Sequence, residues 1–423
     1  MGMKCIRCGT DNNLRDRTNN RGRCKNCNHP FAFEPSTVTD ARFKFTDPFF
    51  AKAIDDISAG GTLFFTPKQL FYLLDKRLSS KVSSPFNCFY FAGCLVIFLS
   101  GGLLLPIAII FIIAGSWLNS NSSSLNLKTR RGSARFLQVM GVIVLIGGMI
   151  YGLSINSFFW FATSVLLGVG SFYWGYRQIA KQTKIFQQFL INQNQFESWL
   201  NRWQKINNPL SKMLPDARQS IAPASVNPDI SAYSFDRAVI CDTPDIAQLL
   251  IANNFHFENN CAVLSVTGYP QSIFSTVLEM LNRNPELKVY AIHNATPRGV
   301  GLVHHLRTSP NWFPNGNAII YDLGLLPRQI FSSRNLFIRN SSEFAQEARE
   351  MPQEVKQSLS KDELTWLELG NFVELESFSP QKIIQVLTQG ITQSQDPNVS
   401  GGLVLIDTGG YGSPVFVPTE SFG

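Results

Sequence analysis

Charged residues are scarce in this sequence of 423 residues, at 16% of the chain, and two long segments contain none. These segments are Phe86–Leu118 and Phe136–Tyr176, and 44% of all residues are hydrophobic. A single membrane-spanning helix needs about 20 apolar residues, and each segment exceeds that length. A helix buried in the core of a soluble protein is shorter. The absence of charge therefore predicts an integral membrane protein with a transmembrane region over residues 86–176.

Motifs of the common hydrolases are also missing. No arrangement of Ser, His and Asp, of Cys and His, or of the zinc hydrolases stands out from the background. The sequence therefore gives no support for a hydrolase of these classes.

The basic residues predict how the apolar segments cross the membrane. Three clusters precede, separate and follow the segments: Lys76, Arg77 and Lys81; Lys128, Arg130, Arg131 and Arg135; Arg177, Lys181 and Lys184. Basic flanks favour the cytoplasm, so all three clusters share that side only if each segment crosses an even number of times. Two helical hairpins with four spans, turning near residues 100–102 and 154–156, satisfy this condition.

Three spans are the alternative, because the 33 residues of the first segment are short for two spans. One long tilted span would then replace the first hairpin. With four spans, the N-terminal and C-terminal domains both lie in the cytoplasm. We expect the membrane to be a bacterial inner membrane.

Four of the eight cysteines occur as two CxxC pairs near the N-terminus, Cys5 with Cys8 and Cys24 with Cys27. Two residues between cysteines allow one tight turn to direct both thiolates at one ion, and two such turns complete a tetrahedral zinc site. Two disulfides are the alternative, which a reducing cytoplasm disfavours. Residues 1–35 resemble the zinc-ribbon family, with Phe31 and Phe33 as an apolar face. The resemblance implies a structural zinc ion and a partner that is a protein or a nucleic acid.

Residues 45–82 predict two short helices joined by an extended connector. Asp47–Pro48 and Thr66–Pro67 each place a capping oxygen before a proline that suits the first helical turn. Gly60–Gly61 ends the first helix. The order of helix, strand and helix is that of a winged-helix-like segment.

The second of these helices contains the sequence TPKQLFYLL, in which Tyr72 follows an aromatic residue. This stretch resembles the segment that carries the nucleophilic tyrosine in the A subunit of topoisomerase VI and its meiotic strand-breaking relatives. The resemblance implies that Tyr72 would attack a DNA phosphate. A phenol is a poor nucleophile near neutral pH, so a metal held by a partner domain would have to assist. The alternative is an amphipathic-helix tyrosine without a catalytic role.

Residues 177–206 predict one helical stalk that leaves the membrane. An apolar residue recurs every seven positions, which produces a narrow apolar seam. One row is Phe189, Phe196 and Trp203, and the other is Ile185, Trp199 and Ile206 with Asn192 in register. The seam either packs on the chain's own soluble domain or pairs with a second copy in a homodimer. Residues 207–234, rich in proline and serine, predict a linker.

Residues 235–423 alternate between apolar, strand-like runs and helices. The runs have no polar face, which is typical of a parallel sheet that helices cover on both sides. In such a sheet the functional loops follow the carboxyl ends of the strands. We therefore predict an α/β domain whose candidate loops are residues 242–245, 268–270 and 293–296.

Two of these loops resemble those of a Toprim domain, over about residues 236–325. That family places a glutamate after its first strand and a DxD pair after its third, and these acids hold magnesium beside DNA. Here Asp242 stands in place of the glutamate, Asn294 and Thr296 replace the two aspartates, and Gly299 matches the family's glycine. Magnesium requires anionic oxygens, which an amide and a hydroxyl do not supply. The resemblance implies a degenerate Toprim-like domain without magnesium.

Together these features predict a multidomain protein with a zinc ribbon, a winged-helix-like α segment, transmembrane α-helical hairpins and an α/β domain. Because the carboxylates are missing, the preferred function is a non-catalytic binding or scaffold protein. One alternative is a membrane-tethered, topoisomerase-like enzyme that binds or cleaves DNA, with Tyr72 as nucleophile and Asp242 as a residual metal ligand. Another is a zinc-dependent sensor whose ribbon signals to the α/β domain through the membrane hairpins.

Overall fold

The computed structural model divides the chain into two compact units. One unit comprises Met1–Asp75 and Phe186–Gly423, and the other is the intervening segment Lys76–Ile185. The described residues are 2–34, 45–81, 105–121, 127–182, 189–217, 236–271, 274–282, 284, 287–313, 318–332, 336–394, 401–406 and 415–420. The first apolar segment up to residue 104 and the predicted linker from residue 218 onward lie outside these residues.

A small antiparallel sheet and one short helix form the N-terminal ribbon. Strand β1 (Met3–Lys4) pairs with β2 (Asp11–Asn12). Helix α1 (Leu14–Asn19) begins with a capping box, in which the side chains of Asn13 and Asp16 each accept from the other's backbone N–H. The ribbon core consists of Met3, Cys5, Cys24 and Phe31.

The C-terminal end of the ribbon packs on helix α2 (Asp47–Ile57). The Asp47 carboxylate accepts hydrogen bonds from the backbone N–H groups of Ala32 (2.9 Å) and Phe33 (2.7 Å). The predicted capping role of Asp47 is therefore wrong, and Thr46 is the N-cap residue. Phe33 is not part of the ribbon core. Its ring packs in an aromatic cluster with those of Phe45, Phe50 and Trp203.

Helix α3 (Pro67–Lys81) follows a glycine turn, as predicted. Gly60 and Gly61 in that turn have φ angles of 71° and 80°, a left-handed conformation that glycine adopts without strain. The helix begins with a reciprocal cap. Gln69 N–H donates to Thr66 Oγ1 (3.2 Å), and Thr66 N–H donates to Gln69 Oε1 (2.9 Å).

The connector between α2 and α3 is bound by segments far along the chain. Phe65 N–H donates to Lys212 O, and Leu214 N–H donates to Phe65 O, each over 2.9 Å. The amide of Asn253 binds both the N–H (2.8 Å) and the C=O (3.0 Å) of Phe64. The connector therefore belongs to the same unit as the C-terminal domain.

The second unit contains helices α4 (Leu105–Asn121), α5 (Leu127–Ser154) and α6 (Phe158–Gln182). Within α5 and α6, Gly132–Ser154 and Phe158–Ile179 are long and apolar enough to cross a membrane, by length and composition. Their mean hydropathies are 2.1 and 1.2. Helix α4 adds a shorter apolar segment.

Helices α5 and α6 form an antiparallel hairpin that turns at the predicted place, where Asn156 has a φ of 49°. Small residues line their contact. A Cβ atom on Gly141 would lie 2.7 Å from the carbonyl oxygen of Gly168. The Ser171 hydroxyl donates to Leu137 O over 2.8 Å. Close approach through small residues and interhelical hydrogen bonds is typical of helices packed in a membrane.

The predicted single helix over residues 177–206 is interrupted. Helix α6 ends at Gln182, and α7 (Gln193–Asn207) begins after Asn192. The Asn192 side chain accepts from Asn194 N–H over 3.2 Å, so it acts as an N-cap rather than as a seam residue.

The aromatic seam packs within the chain, which is the first of the two predicted alternatives. The ring centroids of Phe189 and Phe196 lie 4.5 Å and 5.3 Å from that of Phe71. The centroid of Trp203 lies 4.9 Å from that of Phe50. Helix α7 therefore binds both helices of the N-terminal helical segment.

A parallel sheet forms the centre of the C-terminal domain, as predicted. Its strands and helices are β3 (Arg237–Cys241), α8 (Pro244–Ala252), α9 (Phe255–Glu258), β4 (Ala262–Ser265), α10 (Phe274–Asn282), β5 (Lys288–Ile292), α11 (Pro297–Val300), α12 (Leu302–Thr308) and β6 (Ile319–Asp322). The strand order is β4-β3-β5-β6, and every neighbouring pair is parallel.

Both faces of this sheet are buried. Alternate residues of β5 enter two different cores, with Tyr290 and Ile292 on one side and Val289 and Ala291 on the other. The runs of β3, β4 and β5 lack a polar face because these strands are covered on both sides, whereas the edge strand β6 is partly exposed.

The rest of the domain consists of short elements. They are α13 (Pro327–Ser332), β7 (Arg339–Asn340), α14 (Ser342–Glu350), α15 (Gln353–Ser358), α16 (Lys361–Glu368), β8 (Asn371–Phe372), α17 (Pro380–Gln393), β9 (Gly401–Ile406) and β10 (Val415–Glu420). β7 pairs with β8, and β9 pairs with β10, both antiparallel. After β8 the chain passes the carboxyl end of β5, where Ala295 N–H donates to Val373 O over 3.0 Å.

The attachment of the ribbon to α2 gives a first test. Replacing Asp47→Asn leaves one acceptor oxygen for two buried N–H groups, which costs about 1–3 kcal/mol. We expect the amides of Ala32 and Phe33 to exchange hydrogen about tenfold faster, the ratio that corresponds to about 1.4 kcal/mol. Asp55→Asn, an exposed change on the same helix, is the control and should leave both amides unchanged. Equal exchange in wild type and both variants would contradict this role of Asp47.

Candidate metal centre and candidate sheet-edge site

The four cysteine sulfurs of the ribbon lie within 4.8 Å of one another. Cys5 Sγ is 3.6 Å from Cys27 Sγ, and Cys8 Sγ is 3.6 Å from Cys24 Sγ. Zinc–sulfur bonds of about 2.3 Å in a tetrahedron place the sulfurs about 3.8 Å apart, so the spacing fits one ion such as zinc. All four cysteines are free thiols, which contradicts the disulfide alternative. Within the described part of the chain, no other group of three or more Cys, His, Asp or Glu side chains could hold a metal.

Two turns of the same kind present these cysteines. Gly9 N–H donates to Cys5 O (2.8 Å), and Asn28 N–H donates to Cys24 O (3.0 Å). Gly9 and Asn28 each follow the first cysteine of their pair by four residues, with φ angles of 72° and 56°. Glycine and asparagine are the residues that adopt this left-handed conformation most readily. The sequence therefore fixes both turns locally.

The buried side chain of Asn12 joins the two turns. Its Nδ2 donates to Thr10 O over 2.8 Å and lies 3.5 Å from Cys24 Sγ. Its Oδ1 accepts from Lys25 N–H over 2.8 Å. Such outer contacts orient metal ligands, so Asn12 supports the sulfur arrangement.

The sulfurs differ in how readily they lose a proton. Burial raises the pKa of Cys5 to about 12, whereas a hydrogen bond with the Thr10 side chain lowers the pKa of Cys8 to about 6. Metal ligands must be thiolates, and a bound cation would offset the cost of the buried charge at Cys5.

The candidate loops after β3 and β5 meet at the carboxyl edge of the sheet. Asn294 N–H donates to Asp242 Oδ2 over 2.8 Å. The Asn294 side-chain oxygen accepts from Leu375 N–H over 2.7 Å. Thr296 caps helix α11, and its hydroxyl accepts from Gly299 N–H over 3.1 Å. Asp242 and Asn294 are therefore neighbours, and the side chains of Asn294 and Thr296 both have structural roles.

Two glycines allow the backbone to approach closely at this edge. A Cβ atom on Gly299 would lie 2.1 Å from Asn294 O. A Cβ atom on Gly324 would lie 2.2 Å from Cδ2 of His293. No larger residue fits at either position without a shift of its neighbours.

His293 lies between two hydrogen-bond acceptors and is fully buried. Its Nδ1 is 2.8 Å from Asn294 O, and its Nε2 is 2.9 Å from Asp322 Oδ1. A carbonyl and an ionised carboxylate only accept, so both ring nitrogens donate and the ring is an imidazolium. Gly324 N–H also donates to Asp322 Oδ1, over 2.9 Å.

Two carboxylates and one histidine share this edge of the sheet. Burial opposes a charge on His293, but the adjacent Asp322 carboxylate outweighs it and raises the pKa of His293 above its usual value. Burial likewise opposes a charge on Asp322, but the imidazolium of His293 lowers the pKa of Asp322. Burial raises the pKa of Asp242, whose Oδ1 is shielded from solvent and has no hydrogen-bond partner among the described residues.

Sequence reasoning missed His293 and Asp322 as a pair. His293 follows β5 directly, and Asp322 ends the neighbouring parallel strand β6. Because carboxyl ends of adjacent parallel strands meet at one edge, this pairing could have been predicted once the strand order was known. The strand order itself is not visible in the sequence.

Tyr72 lies in a buried polar network. Its hydroxyl donates to Glu374 Oε2 over 2.5 Å. Lys68 Nζ contacts Glu374 Oε1 (2.8 Å) and Glu376 Oε2 (3.0 Å), and Arg339 donates to Glu374 Oε2 over 3.2 Å. Tyr72 is only 3% exposed. Burial and then the Glu374 charge raise the pKa of Tyr72. These surroundings oppose the proton loss that a nucleophilic phenol requires.

Glu374 and Glu376 were not predicted, because the sequence around them has no recognisable pattern. Leu375 lies between them, and its N–H binds Asn294 at the sheet edge. One short segment, residues 374–376, therefore holds helix α3 on one side and the loop after β5 on the other.

The metal centre gives a direct test. We expect the purified protein to contain one zinc ion per chain and Cys24→Ser to lose most of it, since serine removes one of four thiolate ligands. Elemental analysis measures the ratio, and hydrogen exchange over residues 2–34 should rise in the same variant. Cys241→Ala, which removes a buried strand thiol, is the control and should keep the metal. Full metal content in Cys24→Ser would rule out the four-thiolate site.

The charged histidine predicts a pH dependence. The pKa of His293 is raised in the folded protein, so its stabilising contribution is complete below about 6.5, the usual value, and is lost as pH rises through the raised pKa. We expect the unfolding temperature of wild type in detergent to fall over this range and that of His293→Gln to fall less. His305→Gln, at an exposed position, is the control and should follow wild type. An unchanged slope in His293→Gln would show that the ring is neutral.

Comparison with known proteins found no relative of this chain. No protein-family model, no curated protein and no solved structure matches the chain. Neither Toprim nor topoisomerase VI is therefore supported by a relative, and those resemblances depend on their short motifs alone.

Proposed function

We propose that the protein is a membrane-anchored zinc-ribbon protein whose degenerate Toprim-like domain binds a partner without catalysing a reaction. The observation that carries this proposal is that the side chains of Asn294 and Thr296 accept hydrogen bonds from the protein's own backbone. Both are engaged in internal hydrogen bonds, to Leu375 N–H and to Gly299 N–H. Of the three positions that hold magnesium in the Toprim family, only Asp242 is a carboxylate here, so most of the negative charge that would hold Mg²⁺ is missing.

The metal of the ribbon is proposed to be zinc and to be structural. Four thiolates complete a tetrahedron and leave no open position for a substrate. The contacts of Phe33 and Asp47 attach the ribbon to helices α2 and α7, which supports a role in which the ribbon and these helices present one binding surface.

Membrane anchorage is supported by the distribution of exposed aromatic rings on α5 and α6. Tyr151, Phe158 and Phe159 are exposed at the turn, and Tyr173, Trp174 and Tyr176 are exposed towards the other end. Residues 158 and 176 are 18 positions apart, about 27 Å along a helix, which is close to the thickness of the hydrocarbon core. Aromatic rings prefer both membrane interfaces. The basic residue Arg177 follows the second group, which favours a cytoplasmic location for that end and for both terminal domains.

The partner is proposed to be a protein, with nucleic acid as the competing class. Arg17 and Lys25 of the ribbon pair with Glu34 and Asp16, so they are less free to bind phosphates. The topoisomerase-like alternative gains no support from Tyr72, because its hydroxyl is buried against Glu374.

Divalent-cation binding and DNA chemistry test this proposal together. We expect full-length protein in lipid nanodiscs to show no saturable uptake of Mg²⁺ or Mn²⁺ by calorimetry and no covalent DNA adduct. DNA binding should show no steep dependence on salt, since few phosphate contacts are made. Asp242→Asn and Tyr72→Phe are matched variants and should behave as wild type. Stoichiometric cation uptake that Asp242→Asn abolishes, or an adduct that Tyr72→Phe abolishes, would replace the proposal with the enzyme.

A further inference from the structure

The second unit, Lys76–Ile185, has no acidic residue. Between Asp75 and Glu197 the sequence contains no aspartate and no glutamate. The basic residues in the same stretch are Lys76, Arg77, Lys81, Lys128, Arg130, Arg131, Arg135, Arg177, Lys181 and Lys184. No carboxylate of this unit can therefore balance a basic side chain that becomes buried there.

One of these basic side chains is buried. Arg130, in the first turn of α5, is only 6% exposed. Its Nε donates to Ser120 O over 3.1 Å, near the C-terminus of α4, where the helix dipole is negative. A guanidinium has five N–H donors, and one carbonyl satisfies only part of them. Burial lowers the pKa of Arg130, and no carboxylate among the described residues offsets that effect.

Arg130 lies at the polar end of the α5–α6 hairpin. A Cβ atom on Gly175 would lie 2.7 Å from Ala134 O, so these two residues are level across the hairpin. Arg130 is one turn beyond Ala134, towards the end that Gln178 also occupies. The exposed rings of Tyr173, Trp174 and Tyr176 lie within a turn or so of Gly175. If these rings mark the membrane interface, Arg130 is at the depth of the lipid headgroups.

Other buried polar groups accompany Arg130. Ser116, Asn119 and Ser120, in the last turns of α4, are each no more than 2% exposed. Gln178 Nε2 lies 3.5 Å from Asn121 Oδ1, which brings α6 to the same end. Three helices thus place a guanidinium and several polar side chains where the apolar surface ends.

We propose that Arg130 and the polar end of α4 bind the phosphate group of an anionic phospholipid. Guanidinium groups bind phosphate through paired, charge-assisted hydrogen bonds, and basic sites between membrane helices on the cytoplasmic side recognise anionic headgroups. The headgroup phosphate supplies a negative charge next to Arg130, which no carboxylate of this unit can do. The inference rests on the proposed membrane anchorage, and free phosphate offers the same chemistry from another source.

The test uses full-length protein in nanodiscs of phosphatidylcholine with increasing phosphatidylglycerol. Native mass spectrometry after transfer to detergent counts the phosphatidylglycerol molecules that each chain retains. We expect wild type to retain one and Arg130→Gln to bind it about tenfold more weakly, a ratio that corresponds to about 1.4 kcal/mol and to the loss of a hydrogen bond to a charged group. Arg130→Lys, which keeps the charge but not the paired donors, should lie between them. Arg135→Gln removes one exposed charge from the same helix and should stay near wild type.

A second arm separates the two sources of phosphate. Inorganic phosphate is titrated into protein held in phosphatidylcholine alone, and its binding to wild type is compared with that to Arg130→Gln. Arg130-dependent retention of phosphatidylglycerol supports the lipid, whereas Arg130-dependent binding of inorganic phosphate alone assigns the site to a soluble anion and overturns the lipid. Equal behaviour of wild type and Arg130→Gln in both arms overturns the site. Failure of the protein to enter nanodiscs is a separate result, which overturns the membrane anchorage and the inference with it.

Discussion

The carboxylate of Glu374, whose side chain is 15% exposed, is the constraint on which the arrangement of the larger unit depends. It accepts from Tyr72 and from the two cations Lys68 and Arg339. A buried carboxylate is costly unless donors and opposite charges surround it, so the three partners act as a set. Removing one would leave charge unpaired in the interior. Since the adjoining Leu375 N–H binds Asn294, helix α3 and the sheet edge share a single support.

The charges at the sheet edge explain why neutral residues suit the turn after β5. Asp242 and Asp322 already lie near one cation, His293, at this edge. Two further carboxylates at positions 294 and 296 would add repulsion that only a bound divalent cation could offset. An amide and a hydroxyl allow the turn to pack without an ion, and their oxygens accept backbone N–H groups instead. The turn therefore packs without a bound ion.

Local features could be predicted from the sequence, and distant pairings could not. Cysteine spacing determines both metal-binding turns, and the apolar runs determine a sheet buried on two faces. Asn192 shows the limit, because a polar residue in a seven-residue register fits either a seam or a helix cap, and the cap prevailed. Asp47 likewise had the position of a cap but binds the ribbon tail. Tyr72 and Glu374 are separated by 302 residues, and no local pattern records their contact.

Residues 76–185 interrupt the larger unit along the chain, and residues of the larger unit on either side of them are in contact. Asp75, 2% exposed in α3, accepts hydrogen bonds from the N–H groups of Leu190 (2.8 Å) and Ile191 (3.1 Å). Burial raises the pKa of Asp75 to about 6, so ionisation above that pH opposes folding and the two backbone donors offset part of the cost. Because these hydrogen bonds already join residues 75 and 190, an insertion of more than a hundred residues between them adds little loop-closure entropy beyond that of a shorter one. The larger unit can therefore accept this insertion and keep its core.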